Sequence, residues 1–192
     1  AIQSISKPFA FGLALKLLSS EHMLAKVGVE PSGDAFNAIS LHPVTGIPRT
    51  PMINAGAIAT TALIWAHDPE RAESLLLDFL SDMAGNRLSV DENVFRSERD
   101  TGHRNRAIGY LLRNSDVITS SPEQALELYF RQCAVSVSCR DLAVMAATLA
   151  CQGRNPITNV VGLDAMCNTD VLAVMGSCGM YDYTGQWLYN VG

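Results

Sequence analysis

Ser4-Ile5-Ser6-Lys7 stands three residues into a chain of 192. On a helix this spacing puts a serine and a lysine one turn apart on the same face. The amine can then reach the hydroxyl. A serine at its ordinary pKa is a weak nucleophile, and an amine with a lowered pKa can take its proton. The chemistry that follows is attack on a carbonyl and a covalent acyl intermediate. The four letters alone are common, since a helix-capping serine beside a solvated lysine reads the same way. Their meaning depends on what the rest of the chain brings to them.

Such a pair needs a rigid frame, and helical signals dominate the sequence. A first helix is predicted from about Ser4 to Ser20, with Phe9, Leu13 and Leu17 at helical spacing. Residues 28–51 read as loop, punctuated by Pro31, Gly33, Pro43, Gly46 and Pro48. Asn54 to His67 reads as a buried helix, Ala-rich and almost uncharged. Asp68-Pro69-Glu70 joins a cap to a proline at the first helical position and starts a helix through Met83. Ser89-Val90-Asp91-Glu92 has the letters of a capping box for another helix. The pattern breaks at Gly102 and resumes from about Arg104 to Leu112. Ser121-Pro122-Glu123-Gln124 starts a helix through about Gln132, and further helices follow at about Cys139–Gln152 and Leu163–Met175. Only Gln186 to Val191 alternates as a strand does. With no internal repeat and no long linker, residues 1–192 read as one domain.

Composition narrows the function. Hydrophobic residues make up 48% of the chain, enough to bury a substantial core. A net charge of −5 with no basic run argues against nucleic acid as a partner. No apolar stretch reaches the ~18 residues that span a bilayer, so no membrane is expected. No basic, apolar leader opens the chain, and the cytoplasm is the expected location. Five scattered cysteines (Cys133, Cys139, Cys151, Cys167, Cys178) read as reduced packing thiols, without zinc-site spacing. His22, His42, His67 and His103 match no catalytic pattern and read as surface or loop residues.

Five motifs occur in order. They are Gln3-Ser4-Ile5-Ser6-Lys7, Glu30-Pro31-Ser32-Gly33-Asp34-Ala35-Phe36-Asn37, Pro51-Met52-Ile53-Asn54-Ala55-Gly56-Ala57-Ile58, Ser97-Glu98-Arg99 with Arg104-Asn105, and Ser177-Cys178-Gly179-Met180-Tyr181-Asp182. Together they closely resemble the bacterial-type, serine-dependent glutaminases, a β-lactamase-like family that hydrolyses glutamine to glutamate and ammonia. The Ser-x-x-Lys spacing is shared with the serine acyl-enzymes of the β-lactamase and penicillin-binding group. The fold implied is mainly α: the helical part of a β-lactamase/penicillin-binding-protein-like α/β fold, with most sheet strands absent.

The resemblance carries roles onto particular residues. Ser4 is the nucleophile it implies and Lys7 the group that takes its proton. Asn54, Glu98, Asn105, Tyr129 and Tyr181 fall on the family's substrate contacts, with Ser4 among them. Tyr181 is also the candidate proton donor to the departing ammonia. L-glutamine is the implied substrate, no cofactor or metal is implied, and a homo-oligomer, dimer or tetramer, is expected. The chemistry of glutamine fits this set. Its α-ammonium suits a glutamate such as Glu98, and neutral donors such as Asn105 and Tyr129 can hold its α-carboxylate. Amides lacking the amino-acid head would leave buried polar groups unpaired and be rejected.

The family pattern also has a segment before the Ser-x-x-Lys helix and a Lys-Ser-Gly segment after the stretch corresponding to Trp187–Gly192. Neither lies in residues 1–192, so the chain reads as a glutaminase domain cut at both ends. Its first helix is then expected to lack a layer to pack against and to expose an apolar face. Thr50 stands where the family usually has asparagine, at a structural position. Two other readings are open: a catalytically incomplete binding or assembly module, and a generic β-lactamase-type hydrolase. The second fits poorly, since no Ser-Asp-Asn triplet occurs.

Overall fold

The computed structural model describes residues 1–192 as ten helices and a single two-stranded ribbon. The helices are α1 (Ser6–Leu17), α2 (Ser20–Leu24), α3 (Asn54–His67), α4 (Ala72–Ala84), α5 (Glu92–Thr101), α6 (His103–Asn114), α7 (Pro122–Cys133), α8 (Cys139–Ala150), α9 (Ala165–Cys178) and α10 (Thr184–Val191). Strands β1 (Ser89–Val90) and β2 (Val135–Ser136) pair antiparallel, Ser89 opposite Ser136 and Val90 opposite Val135. Single 3₁₀ turns cover Gln3–Ile5 and Tyr181–Tyr183. The expected mainly-α composition holds.

Two apolar helices form the centre. Every residue of α1 from Ser6 to Leu15 is buried. A helix apolar on all sides is stable in water only when it is surrounded, and α3, α4 and α9 surround this one. The expected exposed apolar face on the first helix is therefore absent, because neighbouring helices supply the layer that a sheet was expected to provide. Pro8 sits in the first turn of α1, where a missing N–H breaks no intrahelical bond. Helix α3 packs against α1, α6 and α7. Its small residues Ala55, Ala57, Ala59 and Ala62 are all buried, which lets those neighbours approach closely.

One glycine decides how the loop meets α3. A Cβ at Gly56 would lie 1.9 Å from the carbonyl oxygen of Thr50, so only glycine lets the preceding loop fold back over the start of the helix. Backbone cannot step aside as a flexible side chain can. Gly56→Ala is therefore expected to destabilise the fold by about 2–3 kcal/mol, read from the midpoint of urea unfolding. An unchanged midpoint would show that the loop can retreat at no cost.

Several boundaries differ from expectation for local reasons. The first helix stops at Leu17, and Ser19 caps α2 by accepting from the His22 N–H at 3.1 Å. The helix expected to begin near Pro69 starts at Ala72, after a turn in which Asp68 accepts from the Arg71 N–H. The Ser89 capping box does not form. Ser89 and Val90 pair with β2 instead, and Asp91 caps α5 by accepting from the Asn93 and Val94 N–H groups. The capping box that does form is Ser138 with Asp141, at the start of α8.

The largest difference lies at Gln186–Val191, read as a strand and found in α10. A strand satisfies its backbone only by pairing with a neighbour, whereas a helix bonds within itself. With no strand beside it, this segment closes its own hydrogen bonds and leaves Trp187, Leu188, Tyr189 and Val191 exposed. All five cysteines are unpaired. Cys133 and Cys178 pack inside as expected, while Cys139 and Cys151 are exposed at the two ends of α8. The four histidines are exposed. No helix is long and apolar enough to cross a membrane.

Candidate active site

The Gln3–Ile5 turn is held from several sides. Ile2 is buried, and its N–H donates to the Val135 carbonyl in β2 at 2.8 Å. Gln3 then turns with φ +52°, a left-handed conformation that costs a non-glycine residue roughly 1 kcal/mol or more. The Gln3 side-chain amide donates to Glu98 Oε1 on α5 at 3.0 Å. Its carbonyl accepts from the Ser6 hydroxyl at 2.7 Å. Ser4, between these anchors, is exposed, and its hydroxyl takes no hydrogen bond from the chain. The backbone alone therefore aims it.

Lys7 lies beneath that turn and is 1% exposed. Its Nζ donates to Asn54 Oδ1 at 2.7 Å. The same nitrogen lies 5.7 Å from the centre of the Phe36 ring and 5.9 Å from that of Tyr181. Burial lowers its pKa from 10.5 to about 8, against a smaller upward pull from Cys133. Contact with rings favours the ammonium form, so the fall means that loss of hydration wins.

Asn54 joins two elements. As the first residue of α3 it donates its backbone N–H to the Phe36 carbonyl at 2.9 Å, which holds the 31–40 loop over the site. Its Nδ2 donates to Asn105 Oδ1 on α6 at 3.1 Å. The Lys7 ammonium can only donate, so it sets the Asn54 amide with its oxygen toward Nζ, and Asn54 Nδ2 in turn fixes the Asn105 oxygen toward itself. A lysine that has lost a proton has one lone pair. With Asn54 accepting from the amine, that lone pair is directed elsewhere and can receive a proton.

The remaining sequence-named residues ring this centre. Glu98 accepts from Gln3 next to the Ser4 turn. Tyr129 on α7 is buried against Phe130, with ring centres 6.0 Å apart. Burial raises its pKa well above 10.0, helped by Cys133, Glu98 and Tyr181 beside it, so it stays protonated and can donate. Tyr181 is half-buried, tilted against Phe36 at 5.9 Å, and adopts φ +53°. Burial raises its pKa as well. Only five non-glycine residues have positive φ, and two of them, Gln3 and Tyr181, belong to this site. Strained backbone gathers where geometry must be held.

The fold thus brings Ser4, Lys7, Asn54, Glu98, Asn105, Tyr129 and Tyr181 together. Their arrangement differs from expectation in one respect: the Lys7 amine is bonded to Asn54 and not to the Ser4 hydroxyl. Sequence reasoning missed three contributors. Gln3 and Phe36 stood inside the quoted motifs without a role, and Gln132 stood at the end of α7 with no local signal. No group of three His, Cys, Asp or Glu side chains is placed to hold a metal ion. Chemically, the arrangement offers an exposed hydroxyl, a buried amine of low pKa, and a carboxylate with amide and phenol donors nearby.

Comparison with known proteins identifies the family. The profile of the Glutaminase family matches residues 1–192. The chain is 51% identical over 191 residues to a glutaminase of a Nostoc species, spanning 100% of this chain and 57% of that protein. It is also 51% identical over 191 residues to glutaminase 1 of Bradyrhizobium diazoefficiens, where it spans 31% of the relative. Its structure superposes on the crystal structure of a probable glutaminase of Bacillus subtilis with a TM-score of 0.93 at 35% identity, covering 100% of this chain and 62% of that one. These neighbours have the β-lactamase-like fold, of which these helices form a part. Motifs in order, a Ser4/Lys7 centre and a family match along the whole length agree: the chain belongs to the glutaminase family.

Proposed function

We propose that residues 1–192, read as one domain, carry the helical half of a serine glutaminase site that hydrolyses L-glutamine to L-glutamate and ammonia. One observation carries this reading: a lysine buried and depressed in pKa beside an exposed serine, one turn apart. Neutral Lys7 takes the Ser4 proton as Oγ attacks the side-chain amide carbon. The tetrahedral intermediate collapses, the C–N bond breaks, and the nitrogen leaves as ammonia after receiving a proton. Tyr181, whose raised pKa keeps it protonated and whose ring lies beside Lys7, is the candidate donor. A γ-glutamyl ester remains on Ser4. The Lys7 ammonium returns its proton to the Tyr181 phenolate and is neutral again; it then takes a proton from the water that attacks the ester, and Ser4 leaves with that proton.

The binding roles follow from charge. Glu98 pairs with the substrate ammonium, and the Asn105 amide and Tyr129 hydroxyl donate to its carboxylate. Asn105 uses its oxygen on Asn54, which leaves its N–H₂ free for this. The proposal extends to a homo-oligomer in the cytoplasm. Family resemblance supports association.

The pH dependence of the full-length protein tests the base. Lys7 must be neutral to accept a proton, so the rate rises as pH passes upward through its pKa of about 8. At pH 7 about a tenth of such an amine is neutral, against roughly one in three thousand for an ordinary lysine. Ammonia release, measured as kcat/KM from pH 6 to 8.5 where the substrate keeps its ammonium, is expected to climb about tenfold per unit below pH 8 and to begin levelling above it. A profile flat over that range would remove Lys7 from the role of base.

A further inference from the structure

A buried chain of polar side chains runs from α3 to the turn that carries Ser4. The Thr61 hydroxyl lies 3.0 Å from Gln132 Oε1 and 2.9 Å from the Ala57 carbonyl, and its single proton serves both. Gln132 Nε2 donates to Ser6 Oγ at 2.9 Å. Ser6 Oγ donates to the Gln3 carbonyl at 2.7 Å. Thr61, Gln132 and Ser6 are each 0% exposed.

The direction of this chain is determined. The one proton of Ser6 goes to a carbonyl, which can only accept, so Ser6 must accept from Gln132. The Gln132 amide therefore turns its nitrogen to Ser6 and its oxygen to Thr61.

Stability does not require such a chain. Replacing hydrogen-bonded buried groups by apolar ones of the same shape can be nearly neutral, whereas removing one partner leaves the other buried, unpaired and destabilising. What the chain does reach is specific. It ends on the carbonyl of Gln3, the residue held in left-handed backbone directly before Ser4. Since Ser4 has no side-chain bond of its own, the angle of its hydroxyl follows from that peptide. We propose that Gln132 is a positioning residue, which acts through Ser6 to hold the Gln3 peptide and so aims the Ser4 hydroxyl. The inference rests on Ser4 being the nucleophile.

Gln132 lies on α7 with Tyr129, three residues along. The same helix therefore sets both a substrate donor and the aim of the serine. Loosening the Gln3 peptide would leave the pocket able to bind but shift the attacking oxygen, and a misplacement of about 1 Å costs roughly 10²-fold in rate.

Two variants of the full-length protein test this, with Ser4→Ala as the reference. Gln132→Met removes the amide and keeps most of the volume, leaving Ser6 and Thr61 unpaired on that side. Its kcat is expected to fall about 10- to 100-fold, with KM little changed and the acid limb of the pH profile unmoved. Ser6→Ala with Gln132→Met replaces both partners by apolar groups. Its urea midpoint is expected to recover toward wild type while kcat stays low, because Ser6→Ala takes away the one hydrogen bond that anchors the Gln3 carbonyl. A folded Gln132→Met protein with wild-type kcat would overturn the inference. So would a double variant whose kcat recovers together with its stability, which is what a purely structural role predicts. If Gln132→Met alone fails to fold, a wild-type kcat in the double variant still overturns the inference. Turnover surviving in Ser4→Ala removes the nucleophile and this role with it. An inactive Ser4→Ala beside a fully active Gln132→Met removes the positioning role alone.

Discussion

Ser4→Ala in the full-length protein is expected to lower kcat for ammonia release from glutamine by about 10⁴–10⁶-fold, the scale seen when an activated serine is removed from a serine hydrolase. The fold should not notice. Ser4 is exposed and its hydroxyl has no partner in the chain, so the urea midpoint is expected to move by less than about 0.5 kcal/mol. Binding of glutamate should persist, because Glu98, Asn105, Tyr129 and Tyr181 are untouched. A second readout separates loss of chemistry from loss of binding. A glutamine-mimicking diazoketone should add to wild-type protein at Ser4, detected by intact mass and peptide mapping, and leave Ser4→Ala unlabelled. Turnover within tenfold of wild type in Ser4→Ala, or label on another residue, would end the assignment.

Lys7→Met carries the second large effect. Methionine keeps the apolar stem and most of the volume while deleting the amine, so packing among Phe36, Tyr181 and the top of α1 is largely kept. Without the base, kcat is expected to fall by about 10³-fold, within the range for a positioned general base. Lys7→Arg should be as slow, since a guanidinium stays charged at any working pH and cannot take the proton. The substitution also changes how stability responds to pH. The folded-state pKa of Lys7 is about 8, below the ordinary 10.5 that an unfolded chain would show. Between these values the unfolded state binds more protons, so this group makes the native state gain stability as pH rises from 8 to 10.5. Below pH 8 both states carry the charge and the cost of burying it is fully present. Subtracting the Lys7→Met curve from that of wild type should isolate this rise. A difference that is flat from pH 8 to 10.5 would show that Lys7 is not held in the dry environment described above.

These two residues were legible because their signals are short. Serine and lysine three apart on a helix suggest a chemistry by types and spacing, and the ordered motifs gave that pair its meaning and pointed to the remaining partners. The helices that hold them were equally legible where local rules are strong. Asn54–His67 forms over its expected span, since an Ala-rich run without glycine in its second half or any proline has little alternative. The helix after Ser121-Pro122 begins at Pro122, where the fixed φ of proline suits a first turn. Legibility failed where two local rules competed. Ser89-Val90-Asp91-Glu92 offered two capping residues, and pairing with β2 took Ser89 and left Asp91 as the cap.

The sequence by itself carried most of the helical frame, the family resemblance and the seven residues proposed for the site. The tertiary structure decided what those residues can do. The bond that aims the Lys7 lone pair joins residues 47 apart, the one that places Glu98 beside the Ser4 turn spans 95, and the one that braces that turn from Gln132 spans 126. None has a local signature, because each exists only once separate helices pack. The same holds for the lowered pKa of Lys7, a property of the helices and rings that shut out water. It holds in reverse for Gln186–Val191, whose strand-like alternation gave way to α10 because a strand needs a neighbour and a helix does not. Spacing along a chain can point to a serine and a lysine on one face; only packing sets the dryness around the amine and the angle of the turn that carries the hydroxyl.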